Sequence, residues 1–296
     1  MSIINVISVC CIILLIIILL ILIESMRECK RFKITKYDIV SDKIPESEEI
    51  RFVMIADLHN AVFGDNNSLI FDKVKEFNPD FITLAGDMVV CRANKDKATL
   101  KTADFINELS NICKIYYGIG NHEKGLIISA HNVGDIWKTY YSKISDNENI
   151  IILDNKSIKD SKKNIALYGL DLDKEYYKRF FIKDLTTDKI NYYIGKNQNK
   201  NFNILIAHNP DYFESYKLWG ADLVLSGHNH GGLVKLPLLG GVISPRLRIF
   251  PKYDSGLYEK ENSKMILSSG MGAHSIKIRV NNIPELIFIT IYGKRK

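Results

Sequence analysis

Residues 50–59 of this chain read IRFVMIADLH, an apolar run that ends in Asp57-Leu58-His59. The run at 50–55 has the pattern of a buried β-strand. The triplet, with its Asp and His, therefore follows the carboxyl end of a strand. In parallel sheets this is the edge at which α/β proteins collect their ligands. The stretch thus predicts a strand that delivers an aspartate and a histidine to a site.

Four other stretches have the same form, a predicted strand followed by Asp, Asn or His. They are Gly86-Asp87, Gly120-Asn121-His122-Glu123, Ala207-His208-Asn209-Pro210 and Gly227-His228-Asn229-His230. Carboxylate, imidazole and amide donors without thiolate suit Mn, Fe or Zn. Two ions ~3.5–4 Å apart need a bridging ligand, and a carboxylate can serve. The pattern predicts a site for two divalent metal ions, with Asp87 as the candidate bridge.

The spacing between these stretches predicts the fold. Helical periodicity at 66–77 and 95–109 separates predicted strands at 50–55, 81–84 and 114–117, which indicates βαβ units. The second half has more antiparallel character, with a predicted helix at 174–181. Its predicted strands lie at 150–153, 165–168, 204–206, 223–225, 265–267, 276–280 and 286–291. We expect an α/β fold in the form of a two-sheet sandwich.

The first segment has a different composition. Residues 3–23 are almost all Ile, Leu, Val or Cys. As a helix they would be roughly 30 Å long, enough to cross a bilayer. A cleaved signal peptide and a buried core helix are the alternatives. The first basic residue is Arg27 and no small-residue cleavage pattern follows the run, so an uncleaved transmembrane helix is favoured.

The basic residues near this helix predict its orientation. Five of them follow the apolar run, namely Arg27, Lys30, Arg31, Lys33 and Lys36. The positive-inside rule then places the large domain in the cytoplasm of a single-pass cell-membrane protein. Five cysteines without regular spacing indicate no disulfide framework, which also favours a reducing compartment. We expect a transmembrane anchor at 1–25, a connector at 26–49 with one short strand, and a catalytic domain at 50–296.

Charge argues against one class of partner. The 296 residues carry a formal net charge of +6, and the lysines are spread along the chain. A nucleic-acid-binding protein usually concentrates its basic residues on one face. A nucleic-acid partner is therefore disfavoured.

The ordered motifs resemble the calcineurin-like metallophosphoesterase superfamily over about residues 50–290. The resemblance implies that Asp57, His59 and His230 bind one ion together with Asp87. It implies that Asn121, His208 and His228 bind a second ion, again with Asp87. His122 would contact the substrate phosphate and assist the leaving group, although packing is an alternative role for it. Glu123 would orient His122 or tune its pKa.

A narrower resemblance is to the membrane-associated bacterial phosphodiesterase branch, which is UDP-diacylglucosamine pyrophosphatase-like. The stretches that carry it are 208–211, 227–232 and Asn282-Ile283-Pro284-Glu285, whereas Ser269 and Ala273 depart from it. The segment 233–258 after the last motif is either a substrate-contacting lid or an ordinary loop with solvated charges.

The resulting expectation is a membrane-anchored dimetal phosphohydrolase. It would cleave a phosphodiester or pyrophosphate bond by attack of a metal-bridging hydroxide, with His122 assisting. Its substrate would be a phosphorylated small molecule or a lipid-linked compound. The alternatives are a phosphomonoesterase or protein phosphatase and, in a different class, a non-catalytic metal-binding scaffold. The scaffold is disfavoured because no ligand of the set is missing.

Overall fold

Helices and strands alternate through most of the chain in the computed structural model, which describes residues 3–92, 95–128, 136–178, 182–197, 200–236, 240–244, 248–273 and 278–294. The helices are α1 (Ile3–Glu28), α2 (Ser68–Phe77), α3 (Asp96–Leu109), α4 (Asn121–Ile128), α5 (Ile136–Ser145), α6 (Thr187–Ile194) and α7 (Phe213–Trp219). The strands of the first half are β1 (Lys33–Ser41), β2 (Glu49–Ile55), β3 (Phe81–Ala85), β4 (Lys114–Gly118) and β5 (Ile150–Leu153). Those of the second half are β6 (Lys156–Asp160), β7 (Ile165–Leu170), β8 (Phe202–Ala207), β9 (Leu223–Ser226), β10 (Lys235–Leu236), β11 (Gly240–Gly241), β12 (Gly256–Lys260), β13 (Ser263–Leu267) and β14 (Glu285–Gly293).

Among the described residues these strands form two six-stranded sheets and a small hairpin of β10 with β11. The first sheet has the order β1-β14-β2-β3-β4-β5 and the second has β12-β13-β9-β8-β7-β6. β2 to β5 are parallel neighbours, and so are β7, β8, β9 and β13. The predicted two-sheet α/β sandwich is confirmed.

Three apolar clusters explain why the sheets stack. Phe52 and Met54 of β2 pack with Ile204, Ile206 and other residues of the second sheet, so this cluster lies between the sheets. The alternate residues of β2 face the other way, towards α2, α3 and α5. A third cluster joins the outer face of the second sheet to α6 and α7. Because the central strands are buried on both faces, they have continuous apolar sequences rather than alternating ones.

Three predicted elements differ from the structure. In the connector, the short strand expected is the nine-residue β1, which pairs in parallel with β14 along its whole length. Of the helix predicted at 174–181, a 3-10 turn at Lys174–Tyr177 forms, and residues 179–181 lie outside the described residues. Of the strand predicted at 276–280, residues 278–280 contribute one isolated bridge from Val280 to Val234, and 276–277 lie outside the described residues.

α1 exposes its apolar side chains along most of its length. Its 26 residues include a window of mean hydropathy 3.8 with no residue buried in the rest of the protein. A core helix of this composition would be buried, so the structure argues against the core-helix alternative. Only Ser25 and Glu28, in the last turn, are buried.

Candidate metal centre

The carboxyl ends of strands from both sheets converge on one region. β2 leads to Asp57 and His59, and β3 leads to Asp87. β4, β8 and β9 precede the other predicted ligands, which are Asn121, His208, His228 and His230. The backbone N–H of His228 donates to both carboxylate oxygens of Asp57 at 3.0 Å, so the two sheets are joined at this point.

The backbone is unusual where these side chains leave it. Five of the seven predicted ligands have a positive φ between 49° and 76°, namely Asp57, His59, Asp87, His228 and His230. A non-glycine residue in this region costs about 1 kcal/mol or more, and such residues cluster at functional sites. The strained backbone at these five residues directs their side chains towards one another.

Asp87 and His59 each belong to two groups of potential metal-ligating atoms. The groups are Asp57 with His59 and His230, His59 with Asp87 and His122, and Asp87 with His208 and His228. Within each group the ligand atoms lie within 4.8 Å of one another. Asp87 thus takes part in groups on both sides of the centre, as a bridging carboxylate would.

The individual distances are consistent with ligand atoms that face a common centre. His208 Nε2 lies 3.1 Å from Asp87 Oδ2, and His230 Nε2 lies 3.3 Å from Asp57 Oδ1. His59 Nε2 is 3.0 Å from His230 Nε2 and 3.8 Å from Asp87 Oδ2. Two imidazole nitrogens this close favour a shared proton or a shared cation.

Asn121 supplies a separate test of whether a metal fits. It is the first residue of α4, and its Oδ1 atom is buried without a hydrogen-bond partner in the part of the chain that the structure describes. A buried acceptor normally finds a donor, because leaving it without one costs about 1–3 kcal/mol. An amide oxygen beside imidazoles and carboxylates is a suitable ligand for a divalent cation. The residues present therefore fit the implied metal.

Electrostatics favour positive charge at the centre. Although burial opposes ionisation, the imidazoles of His208 and His122 hold the pKa of Asp87 well below its usual range. Burial likewise opposes the charged form of His208, but the Asp87 carboxylate outweighs it and raises the pKa of His208 to about 9. Two fully buried carboxylates, Asp57 and Asp87, require compensating charge close by. Divalent cations would provide it.

His122 lies at the rim of this centre. Its Nδ1 accepts a hydrogen bond from the backbone N–H of Cys91 at 2.9 Å, and its Nε2 is 4.0 Å from Asp87 Oδ2. Burial lowers the pKa of His122, which favours the neutral ring. A neutral ring that accepts at Nδ1 carries its proton on Nε2. That N–H is therefore directed to the side of the ring where Asp87 lies.

Glu123 lies under the centre rather than at its surface. Its carboxylate accepts hydrogen bonds from the backbone N–H groups of Asp87, Met88, Val89 and Gly120, and from Tyr117 Oη. The family resemblance implies that Glu123 orients His122 or tunes its pKa. These contacts instead hold the loop that carries Asp87, and the hydrogen bond described for His122 Nδ1 comes from Cys91.

A cavity of about 460 Å³ opens beside Asn121. It is lined by Asn121, Lys124, Gly125, Ile128, Lys174, Glu175, Tyr177 and Lys178. The Tyr177 ring packs edge-on against the His228 ring, with 5.3 Å between centroids, so the cavity adjoins the metal centre. The sequence favours a packing role for this tyrosine, which lies in an aromatic stretch. The signal for a site is Asp171, which follows β7 as the other polar residues follow their strands and begins the segment that leads to Tyr177.

A lid that binds phosphate would need basic side chains that are not already paired with acidic ones. In the segment 233–258, two basic side chains are paired. Arg248 Nη1 pairs with Asp211 Oδ2 at 2.7 Å, and Lys235 Nζ lies 3.6 Å from Asp254 Oδ2. Two basic residues of the segment therefore have acidic partners. Residues 237–239 and 245–247 lie outside the described residues.

Comparisons with known proteins agree with this geometry. A family model described as calcineurin-like phosphoesterase matches residues 50–232. An uncharacterized metallophosphoesterase of Campylobacter jejuni is 26% identical over 263 residues, which are 86% of this chain and 63% of the relative. A transmembrane protein with metallophosphoesterase domain from Danio rerio is 24% identical over 279 residues, which are 88% of this chain and 57% of that protein. The chain thus spans less than two thirds of the length of either relative.

A solved structure from Thermus thermophilus covers 76% of this chain at 9% identity, with a TM-score of 0.44. The family assignment depends on the family model instead. The matched residues 50–232 are more than half of the chain, and they include every Asp, Asn and His that converges at the centre. The chain belongs to the calcineurin-like phosphoesterase family.

Proposed function

We propose that this protein is a membrane-anchored dimetal phosphohydrolase that cleaves a phosphodiester or pyrophosphate bond. Family membership makes it a metal-dependent phosphoester hydrolase. The proposal of two metal ions depends on the position of Asp87, whose carboxylate belongs to two of the donor groups. One carboxylate shared between two groups is the arrangement that two neighbouring ions need.

The proposed ligand assignment is the one that the family resemblance implies, and the donor groups support part of it. Asp57, His59 and His230 would hold one ion with Asp87. Asn121, His208 and His228 would hold the second ion, again with Asp87. Divalent ions such as Mn, Fe or Zn supply an activated water near neutral pH and neutralise charge on the phosphate.

The chain's own residues would orient the substrate. The Nε2–H of His122 can donate a hydrogen bond to a phosphate or leaving-group oxygen, because Nδ1 is occupied by the Cys91 N–H. Glu123 would hold the Asp87 loop in place, as a positioning residue. The cavity beside Asn121 would receive the remainder of the substrate, with Lys174 and Lys178 at its wall. These lysines suit a second anionic group such as another phosphate.

A membrane anchor would favour a substrate at the bilayer. α1 exposes apolar side chains along a length that can span a membrane, and the Danio rerio relative is described as transmembrane. We therefore include lipid-linked phosphates, as well as phosphorylated small molecules, among the candidate substrates. A cytoplasmic position for the catalytic domain follows from the basic residues after α1.

The test is hydrolysis by the full chain in detergent with added Mn²⁺. Bis-p-nitrophenyl phosphate, p-nitrophenyl phosphate and a lipid-linked pyrophosphate would be compared at equal concentration. We expect the diester or the pyrophosphate to be cleaved with the higher kcat/KM. Preference for the monoester would instead support a phosphomonoesterase. Failure to cleave any of them with Mn, Fe or Zn, in protein that binds these metals, would support the scaffold alternative.

A further inference from the structure

The last turn of α1 is built into the protein interior. Ser25 and Glu28 are 1% and 2% exposed, although the helix before them is exposed. The Ser25 Oγ atom accepts a hydrogen bond from the backbone N–H of Arg279 at 2.9 Å. The Glu28 Oε2 atom accepts one from the backbone N–H of Asn282 at 3.0 Å. The last turn of the proposed anchor is therefore hydrogen-bonded to a segment that lies about 250 residues later in the chain.

Arg279 connects this segment to the loop beside Asp57. Its side chain is buried, and its Nη2 donates to the carbonyl oxygens of Ser269, Gly270 and Gly272 at 2.6–3.1 Å. The N–H of Gly272 in turn donates to the carbonyl of Asp57 at 2.6 Å. A Cβ atom placed on Gly270 would lie 2.9 Å from Asp57 Cβ and 3.1 Å from His230 Nδ1. The loop that Arg279 holds is thus in contact with two of the proposed ligands.

Asn282 holds the other side of the same ion site. Its Nδ2 donates to the carbonyl oxygens of His230 and Gly232, each at 2.6 Å. His230, Gly231 and Gly232 have φ values of 51°, 67° and 86°, a left-handed run that is unfavourable for His230. The side chain of Asn282 therefore fixes a strained turn whose first residue is a proposed ligand.

We infer that the last turn of α1 is a structural part of the metal centre, and that Arg279 and Asn282 are positioning residues for Asp57 and His230. The path runs from Glu28 to Asn282 to His230, and from Ser25 to Arg279 to the loop beside Asp57. Each step is a hydrogen bond between buried groups. When one of these bonds is lost, water cannot readily replace it, so the next group in the path is expected to shift. The inference relies on the ligand roles proposed above.

The test measures Mn²⁺ affinity by calorimetry on the full chain in detergent, after removal of bound metal by a chelator. Asn282→Ala removes both bonds to the His230 turn, and we expect Mn²⁺ affinity to fall about tenfold, as for other residues that orient metal ligands. Glu28→Ala should lower the affinity in the same direction by a smaller factor. Glu28→Gln keeps an acceptor oxygen for the Asn282 N–H and should restore most of the affinity.

Glu24→Ala is the matched control. Glu24 lies one turn earlier on α1 and pairs with Arg27 at 2.6 Å on the exposed surface, so its loss should leave Mn²⁺ affinity unchanged. Unchanged affinity in folded Asn282→Ala would overturn the inference. Equal losses in Glu24→Ala and Glu28→Ala would also overturn it, because the effect would then belong to the helix in general. If Asn282→Ala does not fold, the three glutamate variants still decide the question.

This measurement separates the inference from the proposed function. Mn²⁺ affinity is measured without a substrate, so a protein that cleaves no tested ester can still confirm the positioning roles. Turnover adds a second readout where a substrate is found. We then expect Asn282→Ala to lower kcat more than it raises KM, since the altered residue lies behind the ligands and away from the cavity.

Discussion

Asp87 is the residue at which the two proposed ion sites meet. Replacing it with Asn retains the shape of the side chain and removes the negative charge that two cations would share. We expect Asp87→Asn to weaken Mn²⁺ binding at least about 100-fold, beyond the usual effect of residues that only orient ligands. Turnover should fall with it. Wild-type affinity in calorimetry would show that the carboxylate does not bridge two ions.

His122 should behave differently, although its Nε2 atom is close enough to Asp87 to belong to a donor group. If it contacts substrate rather than metal, His122→Ala should lower kcat about 10²–10⁴-fold, the range for general acid–base groups. Mn²⁺ affinity should stay at the wild-type value. A parallel loss of affinity would identify His122 as a ligand.

Glu123 offers a prediction about stability. All five of its described partners are donors, four backbone N–H groups and Tyr117 Oη. Glu123→Gln places an amide NH₂ among those donors, where it cannot accept. We expect the free energy of unfolding to fall by about 2–3 kcal/mol, measured by urea denaturation. Tyr117→Phe, which removes one donor, should reduce it by about 1 kcal/mol.

The role of Glu123 also shows what the sequence could not reveal. The ordered motifs predict which residues lie at strand ends, because a strand and the polar residues after it are local features. Three of the five described partners of Glu123 are the backbone N–H groups of Asp87, Met88 and Val89, in a loop 34–36 residues earlier. Every residue except proline has a backbone N–H group, so the residue types do not reveal which of these groups donate to Glu123. The convergence of these side chains could therefore be predicted, whereas the hydrogen bonds beneath them could not.

At the scale of elements, strands with apolar runs were predictable, whereas edge strands of mixed sequence were not. β3 and β8 are buried at every position, and their apolar runs predict them directly. β6 and β12 lie at sheet edges, and their mixed sequences KSIKD and GLYEK lack a strand pattern. The length of β1 was missed for the same reason, since five of the nine residues in KITKYDIVS are charged or polar.

β1 leads to a prediction about where the folded unit begins. It pairs with β14 from Lys33 to Ser41, and β14 is buried at eight of nine positions. A chain that begins at Asp42 would expose that strand, whereas one that begins at Glu24 keeps β1 and the buried Ser25 and Glu28. We expect the longer chain to unfold cooperatively on heating and the shorter one to aggregate. A cooperative transition at the same temperature for both would show that β1 is dispensable.

At the scale of the whole molecule, the sandwich and the proposed anchor share one polar interior. The strand ends of both sheets meet at Asp57 through the His228 N–H, and the end of α1 reaches the same residue through Arg279 and Gly272. The end of α1 is therefore hydrogen-bonded, through a few buried groups, to the backbone of two proposed ligands.

We propose the side of the membrane from charge. Arg27 in the last turn of α1 and the Lys and Arg residues that follow it would, by the positive-inside rule, favour a cytoplasmic position for the domain. In cells of a bacterial host, we expect added protease to leave the domain intact in right-side-out spheroplasts and to degrade it in inverted vesicles. Detergent lysis of the spheroplasts, which exposes every domain, is the control for protease activity. Degradation in intact spheroplasts would place the catalytic domain outside, and substrates of the outer leaflet would replace those of the cytoplasmic leaflet.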